Sequence, residues 1–269
     1  MYKLIALDMD GTLLNSDKQV SPRTKQAIAD ARAQGVKVVL ASGRPLEGMT
    51  AYLTELDILS DDDFVLSYNA SLIQRVASRQ IIHRQVIQGS DAKNVASLAA
   101  DLGVHVHAFS PERGLITPQN SRYTEHESIL NSMPVTELDF AELDDQEEII
   151  KVMMVADPDI LSAAISKLPA MLYEQYSVVQ SAPFFLEVLH PQSNKGAGVA
   201  MLAEHLKISA DEVICMGDAG NDHHMIRYAG LGVAMGNACD ATKALADHIT
   251  DTNDNDGVAQ VIESFVLKP

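Results

Sequence analysis

The feature that most constrains this chain is a unit it repeats. A short, nearly unbroken apolar run ends in a small or acidic polar residue, and a helical stripe follows. Leu4-Ile5-Ala6-Leu7 runs into Asp8, Val36 to Ala41, interrupted only by Lys37 near its start, into Ser42, and Val213-Ile214-Cys215-Met216 into Gly217-Asp218. Runs that are apolar at almost every position are the pattern of parallel strands covered on both faces. Ser21-Pro22 reads as an N-cap with proline at the first helical position, the stripe Ala27, Ile28, Ala31 follows, and Gly35 closes the helix. Further helices are expected over 46–56, 196–206, 222–228 and 257–266. Strands are expected at 64–66, 231–235 and 248–250. Alternation of this kind predicts an α/β protein with a Rossmann-like, doubly wound parallel-sheet core.

The middle of the chain breaks the rhythm. Strands at 149–155, 177–181 and 184–189 and helices at 91–102 and 157–168 suggest an α+β module with a partly antiparallel sheet. It reads as an insertion. The expected organisation is a first core part over 1–83, an inserted cap domain over 84–189, and a second core part over 190–269.

In open α/β sheets, ligands bind at the carboxyl ends of the strands. Four such ends or nearby loops carry reactive residues: Asp8-Met9-Asp10-Gly11-Thr12, Ser42, Lys195, and Asp218 with Asn221-Asp222. Converging carboxylates repel one another unless a cation sits among them. With oxygen donors and no cysteine or histidine at ligand spacing, a hard ion is indicated, Mg²⁺ first. Such an ion together with Lys195 makes a positive spot suited to phosphate, and Ser42 adds a hydroxyl. Asp8 and Asp10, two apart, share a face. The first can attack phosphorus while the second gives and later takes a proton. Gly11 lets the chain turn sharply behind them. Each fragment alone has a plainer reading: a turn, a surface lysine, a helix cap. Their order and placement at strand ends favour the chemical one.

Asp8-Met9-Asp10-Gly11-Thr12-Leu13-Leu14, Ala41-Ser42-Gly43-Arg44, Asn194-Lys195-Gly196 and Gly217-Asp218-Ala219-Gly220-Asn221-Asp222 resemble, in order, the four motifs of the haloacid dehalogenase-like phosphatases. The stretch from Ala229 to Ala238 is similar to the Cof-type subfamily, whose class IIB cap is inserted between the second and third motifs. Within it the chain looks most like the YidA-type sugar phosphatases. The resemblance implies that Asp8 is the nucleophile and a Mg²⁺ ligand. It makes Asp10 the general acid/base and a ligand through its backbone carbonyl. Asp218 is a third ligand, and Asp222 belongs to the metal shell. Ser42, Gly43 and Lys195 hold the phosphoryl group, with Asn221 and the Met9 backbone assisting. The cap would close over the site and choose the leaving group. One departure is Asn69-Ala70-Ser71 where the family commonly has Asn-Gly-Ala. Alanine adopts positive φ less cheaply than glycine, so an altered backbone is expected there.

Composition sets the remaining bounds. Lys and Arg number 20 against 37 Asp and Glu, a formal charge of −17. So acidic a chain is expected to bind neither nucleic acid nor anionic membranes, and no apolar run approaches the ~20 residues of a membrane span. The N-terminal stretch meets carboxylates at once and carries no small-residue cleavage site, which argues against a signal peptide. Two cysteines, Cys215 and Cys239, make no disulfide framework. The expected setting is the cytoplasm, the expected partner a small phosphorylated metabolite, and the expected assembly a monomer or homodimer. His105-x-His107 shares a strand face but lacks a third ligand and reads as ordinary cap structure. Two further readings remain open at this stage. A phosphoryl-accepting switch would use similar residues but has no need of Asp10, and a phosphomutase would use the same fold.

Overall fold

The computed structural model describes residues 1–267. Two units emerge: Met1–Arg84 together with the chain from Asn194 onward, and Gln85–Ser193. The first piece of the first unit carries β1 (Leu4–Leu7), α1 (Pro22–Ala33), β2 (Lys37–Ala41), α2 (Thr50–Glu55), β3 (Phe64–Ser67), β4 (Leu72–Arg75) and β5 (Ile81–Arg84). Ser21 caps α1, its hydroxyl accepting from the Thr24 amide. The helix expected over 46–56 is two pieces, a 3₁₀ turn at Glu47–Met49 running into α2.

The inserted unit contains β6 (Ile87–Gln88), α3 (Gly89–Leu102), β7 (His105–Ser110), β8 (Gly114–Thr117), α4 (Arg122–Asn131), β9 (Val135–Glu137), β10 (Glu148–Ile149), β11 (Lys151–Val155), α5 (Pro158–Ile165), α6 (Ala170–Gln175), β12 (Ser177–Ala182) and β13 (Phe185–Leu189). Its six-stranded sheet runs β12-β13-β11-β7-β8-β9. Every pairing is antiparallel except β8 with β9. Val106, Ala108, Val152, Met154, Leu186 and Val188 bury one face of this sheet with Val95 and Ala99 of α3 and Leu161 of α5. The other face carries His107, Phe109, Lys151, Met153, Phe185 and Glu187, aligned by register.

The returning chain adds α7 (Lys195–Leu206), β14 (Val213–Gly217), α8 (His223–Tyr228), β15 (Leu231–Ala234), α9 (Asp240–Lys243), β16 (His248–Ile249) and α10 (Gly257–Phe265) to the first unit. Its sheet order is β16-β15-β14-β1-β2-β3-β4-β5. The strands from β16 to β3 are parallel, and β4 and β5 turn back antiparallel at the edge. This edge hairpin lies outside the parallel-strand expectation. The double covering is plain in β1: Ile5 and Leu7 pack with Ile28 of α1 and Ile262 of α10, while Leu4 and Ala6 pack with Val199 and Leu202 of α7. Register puts Leu7 beside both Met216 and Leu40, so β1, β14 and β2 end level. Order reverses at β1, and a crevice at such a switch point is where ligands bind. Among the described residues no helix is long and apolar enough to cross a membrane.

Candidate active site

Level strand ends deliver the reactive side chains to one place. Asp8 follows β1 and its amide donates to the Met216 carbonyl at 3.0 Å. Asp218 follows β14. Lys195 opens α7, where Asn194 caps the helix by accepting from the Ala197 amide at 2.9 Å. Oxygens of Asp8, Asp218 and Asp222 all lie within 4.8 Å of one another. The Lys195 ammonium, fully buried, donates to Asp8 Oδ1 at 2.5 Å and to Asp222 Oδ1 at 2.7 Å.

The chain must pass very close here. Gly11 has φ +88°, and a Cβ on it would stand 2.5 Å from Asp218 Oδ2. Any side chain would therefore be strained and would displace a carboxylate. Thr12 donates to Asp218 Oδ1 at 3.1 Å. The second oxygen of Asp222 accepts from the amides of Asp218 and Ala219, both at 3.0 Å. Asp222 thus ties Lys195 to the loop that carries Asp218, with both its oxygens engaged.

Electrostatics follow from this crowding. Burial pushes the Asp8 carboxyl up to about 8, Lys195 opposing the shift while Asp222 and Asp218 add to it. Burial, then Asp222, raises Asp218. Burial works against the Lys195 charge, but Asp8 and Asp222 hold the ammonium above its ordinary range. With all three carboxyls ionised, one ammonium leaves two negative charges unbalanced; the raised Asp8 and Asp218 carboxyls reflect that crowding, and a divalent cation would relieve it. The donors are all oxygens, so the residues fit a hard ion.

Asp10 stands apart from this cluster. Its Oδ1 accepts from Lys18 Nζ and Arg44 Nη2, both at 2.8 Å, and its Oδ2 from Arg44 Nε at 3.0 Å. Burial alone would raise the Asp10 carboxyl, but Lys18 and Arg44 outweigh it and hold the group below its usual range. Ser42 is buried, and its hydroxyl accepts from the Arg44 amide at 3.2 Å. Gly43 lies against the Asn69 side chain, whose Oδ1 accepts from Asn221 Nδ2 at 3.2 Å. The Met9 side chain is buried in the core, and its carbonyl accepts from the Thr12 and Leu14 amides.

The expectation for Ala70 is corrected. It adopts φ +68°, after Tyr68 and Asn69 at +54° and +55°, so the left-handed backbone is kept without glycine. The methyl is buried against Leu66 and α7 and Gly198 leaves room for it, so packing compensates the strain. Sequence reading assigned no role to Thr12, Lys18, Arg44 or Asn69. Thr12 and Arg44 lie inside the quoted motifs, where a role could have been sought. Nothing local marks Lys18.

A family model for haloacid dehalogenase-like hydrolases matches residues 5–262. The chain belongs to that family, of the Cof type. It is 39% identical over 272 residues to the "Putative phosphatase YxeH" of Bacillus subtilis, covering 99% of each chain. It is 34% identical to the 5-amino-6-(5-phospho-D-ribitylamino)uracil phosphatase YcsE of the same organism, over 98% of this chain and 96% of that one. The crystal structure of a haloacid dehalogenase-like hydrolase from Bacteroides thetaiotaomicron is similar with a TM-score of 0.86 and 35% identity, covering 98% and 99% of the two chains. The chain is accordingly a phosphatase of this family.

Proposed function

We propose that this phosphatase is a Mg²⁺-dependent phosphomonoesterase that hydrolyses small sugar or other polyol phosphates through an aspartyl-phosphate. One observation carries the reading: the buried Asp8 carboxylate shares a single ammonium with Asp222 and lies within 4.8 Å of Asp218, a cluster in which carboxylates outnumber cations by two. Asp8, Asp218 and the Asp10 carbonyl would hold the ion. Asp222 supports this shell through Lys195 and the Asp218 loop. Bound there, Mg²⁺ supplies charge that neutralises the phosphoryl oxygens.

The protein's own groups do the rest. Lys195, the Ser42 hydroxyl and the Gly43 amide hold the phosphoryl group, with Asn221 and the Met9 backbone beside them. Asp8 attacks phosphorus. An Asp8–O–P bond forms as the ester P–O bond breaks, and Asp10, once protonated, gives its proton to the departing oxygen. Water then attacks the same phosphorus and gives its proton to Asp10. The bond to Asp8 breaks, and phosphate leaves with both aspartates restored. Positioning and charge neutralisation supply most of the acceleration, as phosphoryl transfer requires.

On this reading the inserted unit selects the leaving group. The polyol class is supported by the resemblance to sugar phosphatases and by YcsE, whose named substrate is a phosphoribityl compound. A cytoplasmic setting is supported by the free thiols of Cys215 and Cys239. The test is a panel of phosphorylated metabolites with Mg²⁺, scored by inorganic phosphate, on the wild type and Asp8→Asn. We expect release from sugar or polyol esters, and a loss of at least about 1,000-fold in the variant with its thermal transition retained. Full activity in Asp8→Asn would remove the covalent mechanism. A phosphorylated isomer in place of free phosphate would mark a mutase.

A further inference from the structure

The turn after β3 is strained and tied down. Tyr68, Asn69 and Ala70 follow one another at φ +54°, +55° and +68°. Residues with side chains seldom adopt this left-handed region, and it persists only where surrounding contacts hold it. Here they do. The Tyr68 amide donates to the Arg44 carbonyl at 3.1 Å and the Asn69 amide to the Ser42 carbonyl at 2.9 Å. The Ser71 amide closes the turn on the Tyr68 carbonyl at 3.1 Å. On its other side the Ala70 methyl packs where Gly198 leaves room, one turn along α7 from Lys195. The turn is therefore braced against the segment that carries Ser42 and Gly43 and against the helix that carries Lys195.

Asn69 connects this brace to Asn221. Asn69 is 5% exposed, and its Oδ1 accepts from Asn221 Nδ2 at 3.2 Å. Asn221 stands half-buried on the short 3₁₀ turn Gly220–Asp222. Among the described residues its side chain makes no other hydrogen bond. A carboxamide held at no point can turn over and exchange its N–H groups for its oxygen. An Asn221 oxygen facing a phosphoryl group would set two acceptors against each other. An acceptor at Asn69 prevents that. It takes one N–H of Asn221 Nδ2 and leaves the second N–H of the same nitrogen for another acceptor. Asn69 Nδ2 is turned toward Gly43, where a Cβ would stand 3.4 Å from it. Glycine at 43 thus leaves the Asn69 carboxamide undisturbed.

We infer that Asn69 is a positioning residue that holds the Asn221 carboxamide with an N–H toward the phosphoryl group. This rests on the phosphoryl-holding role proposed for Asn221 above. Asparagine suits the position twice: it adopts the left-handed backbone at less cost than most residues, and it carries the acceptor. Asn69 acts through Asn221 and not on the substrate.

The experiment uses the full chain with Mg²⁺ and p-nitrophenyl phosphate. It measures kcat, KM and inhibition by orthovanadate, a five-coordinate mimic of the transferring group. Asn69→Gly removes the carboxamide without straining the left-handed backbone, and Asn221→Ala removes the donor it holds. We expect Asn69→Gly to lower kcat by about tenfold and to weaken orthovanadate inhibition by a similar factor, with a smaller change in KM. In the Asn221→Ala background the same substitution should lower kcat by no more than about twofold. Asn69→Ser draws the acceptor back by one bond, so it should show the same loss; it serves should the glycine variant fail to fold. A merely structural role would lower the thermal midpoint while the folded protein kept its kcat and its orthovanadate inhibition, and that result overturns the inference. Equal losses from Asn69→Gly with and without Asn221 would overturn it too, because Asn69 would then act by a route that bypasses Asn221. If Asn221→Ala keeps wild-type kinetics, the phosphoryl-holding role of Asn221 falls first and the inference with it.

Discussion

Acidification should cost the inserted unit stability through one buried histidine. His107 is fully buried on β7. Its Nδ1 meets Thr124 Oγ1 and its Nε2 meets Met153 Sδ, each at 3.2 Å. The rings of Phe109 and Phe185 lie edge-on at 6.1 Å. The nearby charge is the wrong sign: burial, then the Lys151 ammonium, lowers this imidazole from 6.5 to about 3. The folded chain thus keeps it neutral, while the unfolded chain protonates it near 6.5. Stability from this group is whole above that value and drains away as pH falls toward 3. Each pH unit well inside the window is worth about 1.4 kcal/mol, so acidifying from 6.5, where the unfolded group is already half protonated, to about 4.5 should cost about 2.3 kcal/mol. Glu127 titrates with the opposite sign, since burial raises it despite Lys151. The measurement is therefore a difference. Urea unfolding of the wild type and His107→Gln across this range cancels every group the two share. Glutamine keeps a polar partner for Thr124 but does not titrate, so the wild type should lose stability faster by the amount given. Parallel curves would refute the reasoning, because they would mean that His107 is charged or solvated in the folded protein.

Three further outcomes can be checked. Gly198→Ala would place a methyl 2.2 Å from the Ala70 Cβ, which should cost about 1–3 kcal/mol and lower the thermal midpoint. Adding Ala70→Gly should recover most of that loss, and simple additivity would contradict the close approach. Gly11→Ala forces a Cβ onto Asp218 at a backbone angle that resists it, so kcat should fall by about 100-fold or more; a wild-type value would show that this turn does not hold the site. Saturating Mg²⁺ at about 100 times its Kd should stabilise chelator-treated protein by about 2.7 kcal/mol, and Asp218→Asn should shrink that shift. An unchanged thermal midpoint with Mg²⁺ would count against the ion.

How legible the fold was depended on where each element buries its side chains. Strands β1 and β14 are covered on both faces, so Leu4–Leu7 and Val213–Met216 read as unbroken apolar runs. The hairpin of β4 and β5 lies at a sheet edge. Leu-Ile-Gln-Arg and Ile-Ile-His-Arg are half covered and show neither a run nor an alternation. Helix α4 inverts the usual rule. It buries Thr124, Glu127 and Asn131 while Ile129 and Leu130 stand exposed, so its apolar periodicity points the wrong way. Its polar residues face a sheet surface that itself carries His107, Lys151 and Glu187, and that pairing exists only after β7, β11 and β13 have come together.

The site was legible wherever a reactive residue ends a covered strand, because backbone register then fixes its position. That accounts for Asp8, Ser42 and Asp218. It cannot account for how charge is shared among them. The formal charge of −17 describes a surplus but not its distribution. In the structure, Asp8 and Asp222 share one ammonium with the Asp218 carboxylate beside them, while Asp10 holds two basic groups of its own. A uniform spread would leave no point where carboxylates outnumber cations. Unequal sharing leaves one. It depends on contacts such as Lys18 with Asp10 and Asp222 with Lys195, which turns and helix starts create from residues that carry no signal of their own.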